Sequence, residues 1–132
     1  MSNKLIVFDI DDTLYDEIDY VKSGFQEISQ YVLEKYQIQN GYETLLKLFD
    51  ASSKNVFNRL FDSLQIPYTL KDVSELVDIY HHHMPHIELS KEVIKTLEKL
   101  KEEYPLAIVS DGNSEVQKLK CQALNLNSKL DI

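Results

Sequence analysis

The sequence has a single cysteine, Cys121, and so no second thiol with which to close a disulfide inside the chain. That usage suits a reducing compartment, and the chain is expected to be cytoplasmic. No apolar run approaches the roughly 20 residues needed to cross a bilayer. The N-terminus also lacks a charged segment followed by an apolar one, so neither a membrane partner nor a secretory leader is expected. Lysine and arginine number 14 against 22 aspartates and glutamates, for a formal charge of -8, and they form no long basic run. Nucleic acid is therefore excluded as an expected partner. There is no internal repeat and no low-complexity linker. With 132 residues, 43% of them hydrophobic, the chain suits one ordinary domain, or a small core carrying a modest insertion.

What is present is concentrated at residues 5–16, "LIVFDIDDTLYD", where a run of strand-forming residues ends in three aspartates within four positions. Six carboxylates fall between Asp9 and Asp19. Like charges so close raise one another's pKa, and the arrangement is costly unless a cation or a cationic reaction partner offsets it. The stretch reads as a site. Asp12, Asp16, Glu17 and Asp19 suit solvent or the N-terminus of a following helix better than they suit ligation.

Lys4 to Phe8 is continuously apolar after its lysine, which predicts a strand of a parallel sheet buried on both faces. Helical spacing follows in Val21, Phe25, Ile28 and Val32, then in Val56, Phe57, Leu60, Phe61 and Leu64, then in Val73, Leu76, Val77 and Tyr80. Asn40-Gly41 and Pro67 punctuate these helices. Residues 16–85 thus form an all-helical block, within which the eight tyrosines are expected to pack, with Tyr15 at its edge able to line a pocket. His81, His82, His83 and His86 suit a solvated hinge, because adjacent histidines at a helix end point in different directions.

After Pro85 the elements alternate. Ser90 can cap a helix with the stripe Val93, Ile94, Leu97 and Leu100. Leu106 to Val109 is a second short apolar run, closed by Ser110-Asp111-Gly112-Asn113. Ser114 and Gln117 then have capping-box spacing at the start of a last helix, in which Cys121 reads as a small buried hydrophobe. Strand, polar loop and helix on either side of a helical block make an α/β fold with an insertion. In such sheets ligands bind beyond the carboxyl ends of the strands, where both polar clusters lie.

"FDIDDTL" with "AIVSDGNSEVQKLKCQAL" resembles the haloacid dehalogenase-like hydrolase superfamily, whose first motif is Asp-x-Asp-x-Thr and whose second is a serine or threonine after the second strand. The resemblance covers essentially the whole chain. It implies a Rossmann-like core from residues 1–15 and 86–132, carrying 16–85 as a helical cap, and a Mg²⁺-dependent hydrolase of a small phosphorylated metabolite. Asp9 would then be the nucleophile that forms an aspartyl phosphate, and Asp11 the acid/base, with the Asp9 carboxylate and the Asp11 carbonyl as metal ligands. Ser110 would donate to a phosphoryl oxygen, with backbone N–H groups around Ile10 and Asp111 to Gly112 and with Asn113 at the same loop; Thr13 would brace the first loop.

The sequence reaches "LNLNSKLDI" where the family's third strand would begin, so the family's later lysine and acidic motif are not among these 132 residues, and the phosphatase activity of the chain itself is expected to be impaired. Lys118 and Lys120, on the helix after the second motif, are not expected to take that lysine's place. Two further readings stand beside the phosphatase: a non-catalytic binding module on the same fold, and hydrolytic dehalogenation, which the resemblance disfavours because that branch has another residue where Asp11 stands. The first strand is also expected to leave an open edge through which the chain would form a homo-oligomer.

Overall fold

A computed structural model of the chain describes residues 4–110 and 112–126. Its elements run β1 (Ile6–Phe8), α1 (Glu17–Tyr36), α2 (Gly41–Ala51), α3 (Val56–Ser63), α4 (Leu70–His82), α5 (Lys91–Glu103), β2 (Leu106–Ile108) and α6 (Ser114–Ala123). The chain divides into two compact units, Met1–Tyr20 with Met84–Ile132, and Val21–His83. Among the described residues no helix is long and apolar enough to cross a membrane.

The first unit is built on β1 and β2, which pair in parallel with Ile6 opposite Leu106, Val7 opposite Ala107 and Phe8 opposite Ile108. Ile6 N–H donating to Pro105 O at 3.1 Å and Val109 N–H donating to Phe8 O at 3.0 Å extend the ladder at both ends. Burial follows the two-residue period of a strand. Ile6 and Phe8 are half-buried and Ile10 fully buried, whereas Leu5 and Val7 are 57% and 50% exposed and Val109, just past the end of β2, 64%. The expectation of a strand buried on both faces is corrected: an apolar run alone does not say whether a layer lies over each face, and here one face is open among the described residues. Ser90 caps α5 as expected, its Oγ accepting from Val93 N–H at 3.2 Å.

The second unit is helical, and its core comes from the predicted stripes. Phe25, Ile28, Val32, Leu45, Leu60, Phe61 and Leu76 are all buried in it. Aromatic rings knit the helices: Phe25 meets Phe49 edge-on at 5.8 Å between centroids, and Phe61 stacks on Tyr68 at 5.1 Å. The Thr69 side chain accepts from Asp72 N–H while Asp72 accepts from Thr69 N–H, a complete capping box that starts α4. The histidine run is not uniformly solvated. His83 is 93% buried, since only 7% of it is exposed, and sits between Ser23 Oγ at 3.1 Å from Nε2 and the Tyr80 carbonyl at Nδ1.

Gly24 is the close approach in this unit. A Cβ there would stand 2.2 Å from Tyr80 Cε2 and 2.4 Å from Cδ2. The Tyr80 ring has little room to yield, because Phe25, Phe57 and His83 surround it at centroid distances of 6.1, 5.9 and 5.9 Å. Gly24→Ala should therefore destabilise the protein by about 1–3 kcal/mol through overpacking, more than the roughly 1 kcal/mol that alanine gains over glycine in a helix. Urea unfolding checks this, and a midpoint that rises would show that the ring moves aside.

Candidate active site

The first loop begins where β1 ends. Asp9 is exposed, and its Oδ1 accepts a 2.8 Å hydrogen bond from Ile10 N–H. The Ile10 N–H, one of the backbone donors of this turn, is thus taken by the neighbouring carboxylate. Asp12 adopts the left-handed conformation at φ 57° and turns its Oδ1 to accept from Glu17 N–H at 2.8 Å, which starts α1. Leu14 N–H closes the turn on Ile10 O at 3.1 Å, and Thr13 N–H on the same oxygen at 3.4 Å, with Thr13 itself exposed. Thr13 thus lies in the turn that braces the loop.

Asp11 is the residue around which the polar groups gather. Its Oδ1 accepts from Lys120 Nζ at 2.8 Å and from Tyr15 Oη at 2.7 Å, and its Oδ2 from Gln117 Nε2 at 3.3 Å. Lys120 and Gln117 lie three residues apart, and so on one face of α6. The lysine is deeply placed, with only 5% of its side chain exposed, and its ammonium sits 4.2 Å from the centroid of the Tyr20 ring. A cation over an aromatic face is attracted by the ring quadrupole. Burial alone would push the Asp11 carboxyl up; the hydrogen bonds from Lys120, Tyr15 and Gln117 and the lysine charge outweigh it and hold the group below the usual aspartate value. The same contacts raise the tyrosines: burial and the Asp11 carboxylate push Tyr15 far up, and burial with the Asp11 charge puts Tyr20 at about 12.

Lys120 reaches the first loop and joins Asp11, not Asp9. One expectation changes: Tyr15 and Tyr20 belong to the first unit and to this cluster instead of packing within the helical block. The sequence signal that could have found Lys120 is the pairing of Gln117 with Lys120 on one helical face next to the apolar Val116, but nothing local says which residue that face meets.

The second loop opens a pocket of about 510 Å³ lined by residues including Ser110, Gly112, Ser114, Gln117, Lys118 and Cys121. Ser110 and Gly112 are thus brought together, and Gln117 connects the pocket to Asp11. Asp9, Asp11 and Thr13 do not line it. Gly112 has φ +107°, a conformation side-chain-bearing residues rarely adopt. Asn113 has a structural use: its Oδ1 accepts from Glu115 N–H at 2.9 Å and Val116 N–H at 3.2 Å, so it is the cap of α6. The expected Ser114–Gln117 capping box is corrected by one residue, because Asn113 reaches the free N–H groups first and leaves Gln117 to turn inward. Cys121 is half-buried, and burial raises its thiol pKa. Asp111 lies outside the described residues.

Among solved structures, a haloacid dehalogenase-like family hydrolase from Xanthomonas campestris is similar at 18% identity and a TM-score of 0.54, over 96% of this chain and 59% of that one. A second, described as a dehalogenase, is similar at 21% identity and a TM-score of 0.53, over 99% of this chain and 62% of that one. The likeness establishes the shared Rossmann-like α/β fold, and the chain spans about three-fifths of the length of each. No curated protein matches it in sequence. The family model for haloacid dehalogenase-like hydrolases matches residues 6–132, from the first residue of β1 onward, and both loops fall inside that match. The chain belongs to the haloacid dehalogenase-like hydrolase family.

Proposed function

We propose that the chain carries the reacting groups of a Mg²⁺-dependent hydrolase of small phosphomonoesters. The observation that supports this best is the Asp11 carboxylate, two residues beyond Asp9 and held by three donors. In the proposed sequence an Asp9 oxygen attacks phosphorus and the bond from phosphorus to the leaving oxygen breaks, while Asp11 delivers a proton to that oxygen. Water then attacks the aspartyl phosphate, Asp11 takes its proton, and phosphate leaves with Asp9 regenerated. The phosphate charge, arriving beside Asp11, raises its pKa and so favours the protonated form that the first step needs. Ser110, beside Gly112 in the pocket wall, would donate to a phosphoryl oxygen.

The donors present suit a hard cation. The exposed Asp9 carboxylate and the Asp11 carbonyl are oxygen ligands of the kind Mg²⁺ takes, and among the described residues no group of three or more His, Cys, Asp or Glu stands together. Water would supply most of the coordination, and the ion would offset the mutual repulsion of carboxylates and phosphate. Val21–His83 is read as the family's cap, the part that would choose the substrate.

The similar structure described as a dehalogenase gives hydrolytic dehalogenation as the competing reading. Halide leaves without a proton, so Asp11 would have no proton to deliver in that displacement and could serve only to activate water in the hydrolysis of the ester, whereas phosphomonoester cleavage uses it in both steps. Incubating the chain with Mg²⁺ and a panel of sugar phosphates and nucleotides, and in parallel with 2-haloacids, separates the readings. Metal-dependent release of inorganic phosphate is expected. Halide release alone would replace the proposal with the second reading, and neither product would leave a binding module.

A further inference from the structure

We propose that Lys120 is a positioning residue for the acid/base: with Tyr15 it locks one oxygen of Asp11 in place, and so fixes which oxygen is turned to the reactants. The inference rests on the phosphoryl-transfer reading above and adds to it a residue that lies outside both motifs of the family resemblance.

A carboxylate has about four lone-pair sites, two on each oxygen. Lys120 Nζ at 2.8 Å and Tyr15 Oη at 2.7 Å occupy both sites of Oδ1, whereas Gln117 Nε2 at 3.3 Å occupies one site of Oδ2. Oδ2 is thus the oxygen that retains a site among the described residues, and it is the one on the side of Gln117, which lines the pocket. A proton transferred by Asp11 would have to travel through Oδ2.

The lock is rigid because each donor is anchored on a different element. Lys120 comes from α6, is 95% buried by the 5% exposure of its side chain, and has the Tyr20 ring beneath its ammonium at 4.2 Å. Tyr15 comes from the first loop itself and is 7% exposed. A charge-assisted hydrogen bond is roughly twice as strong as a neutral one, so the lysine is the stronger half. A flexible Asp11 would spend part of its time in rotamers that face neither leaving group nor water, and a lost supporting contact of this kind typically costs about 10–100-fold in activity.

The test compares Lys120→Met, Lys120→Arg and Tyr15→Phe with the unaltered chain. Methionine keeps the length of the lysine and removes its charge. Turnover of a phosphomonoester under Mg²⁺ should fall about 10–100-fold in kcat for Lys120→Met with KM within about threefold, because the contact acts on the chemical step and not on binding. Lys120→Arg should recover part of the loss. Tyr15→Phe should fall less, and the double variant by less than the product of the two, since both donors serve one oxygen. In parallel, the Hα–Hβ couplings of Asp11 by NMR should show one rotamer in the unaltered chain and averaging in Lys120→Met. Wild-type kcat in Lys120→Met, a loss that falls on KM instead, or a single unchanged Asp11 rotamer would overturn the proposal. Absence of turnover in the unaltered chain would remove the reaction and leave the lock to be judged on the rotamer measurement, which does not depend on catalysis.

Discussion

Asp9→Asn is expected to reduce Mg²⁺-dependent phosphate release by at least about three orders of magnitude, the scale on which essential catalytic groups act. The substitution is selective for chemistry. Asparagine has the shape of aspartate, and its Oδ1 can still accept the Ile10 N–H that Asp9 Oδ1 now accepts at 2.8 Å. The loop is therefore retained while the nucleophilic charge is gone. Initial rates give the size of the loss, and mass spectrometry of acid-quenched protein gives its cause: a phosphoryl adduct on Asp9 in the unaltered chain and none in the variant. Turnover above a tenth of the original would rule out the covalent route and leave direct attack by water.

Asp11→Ala should destabilise the first unit by about 2–4 kcal/mol. The cost lies in what remains. Lys120, with 5% of its side chain exposed, would keep its charge beside Tyr20 with its carboxylate partner gone. Lys120→Met leaves the more exposed member of the pair, which keeps Tyr15 and Gln117 as donors, and should cost about 1–2 kcal/mol. The double variant, with no charge to strand, should be more stable than Asp11→Ala alone. Urea midpoints of the three proteins measure the ordering, and a double variant no better than Asp11→Ala would mean that the ammonium finds water by itself. The pH dependence has a fixed sign. The folded chain holds the Asp11 carboxyl below its ordinary 3.8, so its contribution is present above that value and is lost as pH falls through the folded value.

The alternation of elements was readable because apolar spacing changes from continuous runs at residues 5–8 and 106–109 to three- and four-residue steps in between, and each pattern buries one kind of element. The capping of α5 by Ser90 was readable too, since a cap is a contact over three residues. The reading failed where a contact is distant in sequence or where neighbours compete. Lys120 meets Asp11 across 109 positions, and no spacing on α6 announces that partner. Asn113 and Ser114 are both good caps, and one residue of chain geometry decides between them. His83 looked like a surface histidine, yet the end of α4 turns it inward against Ser23. The open face of Leu5 and Val7 depends on layers that a strand's own composition does not specify.

The parallel pairing of β1 with β2 also orders events in time. Ile6 meets Leu106, a partner one hundred positions further on, and the whole of Val21–His83 is synthesised in between. The ribosome delivers β1 well before β2, the strand that exchanges hydrogen bonds with it. The helical unit is continuous in sequence and has its own core, so it can condense while β2 is still unmade. Once it does, the long loop between the strands is replaced by a compact body, and the entropy of closing the sheet has in large part already been lost. Until Leu106 emerges, Leu5 to Phe8 is an apolar segment without its strand, and for that interval it is open to association with other chains.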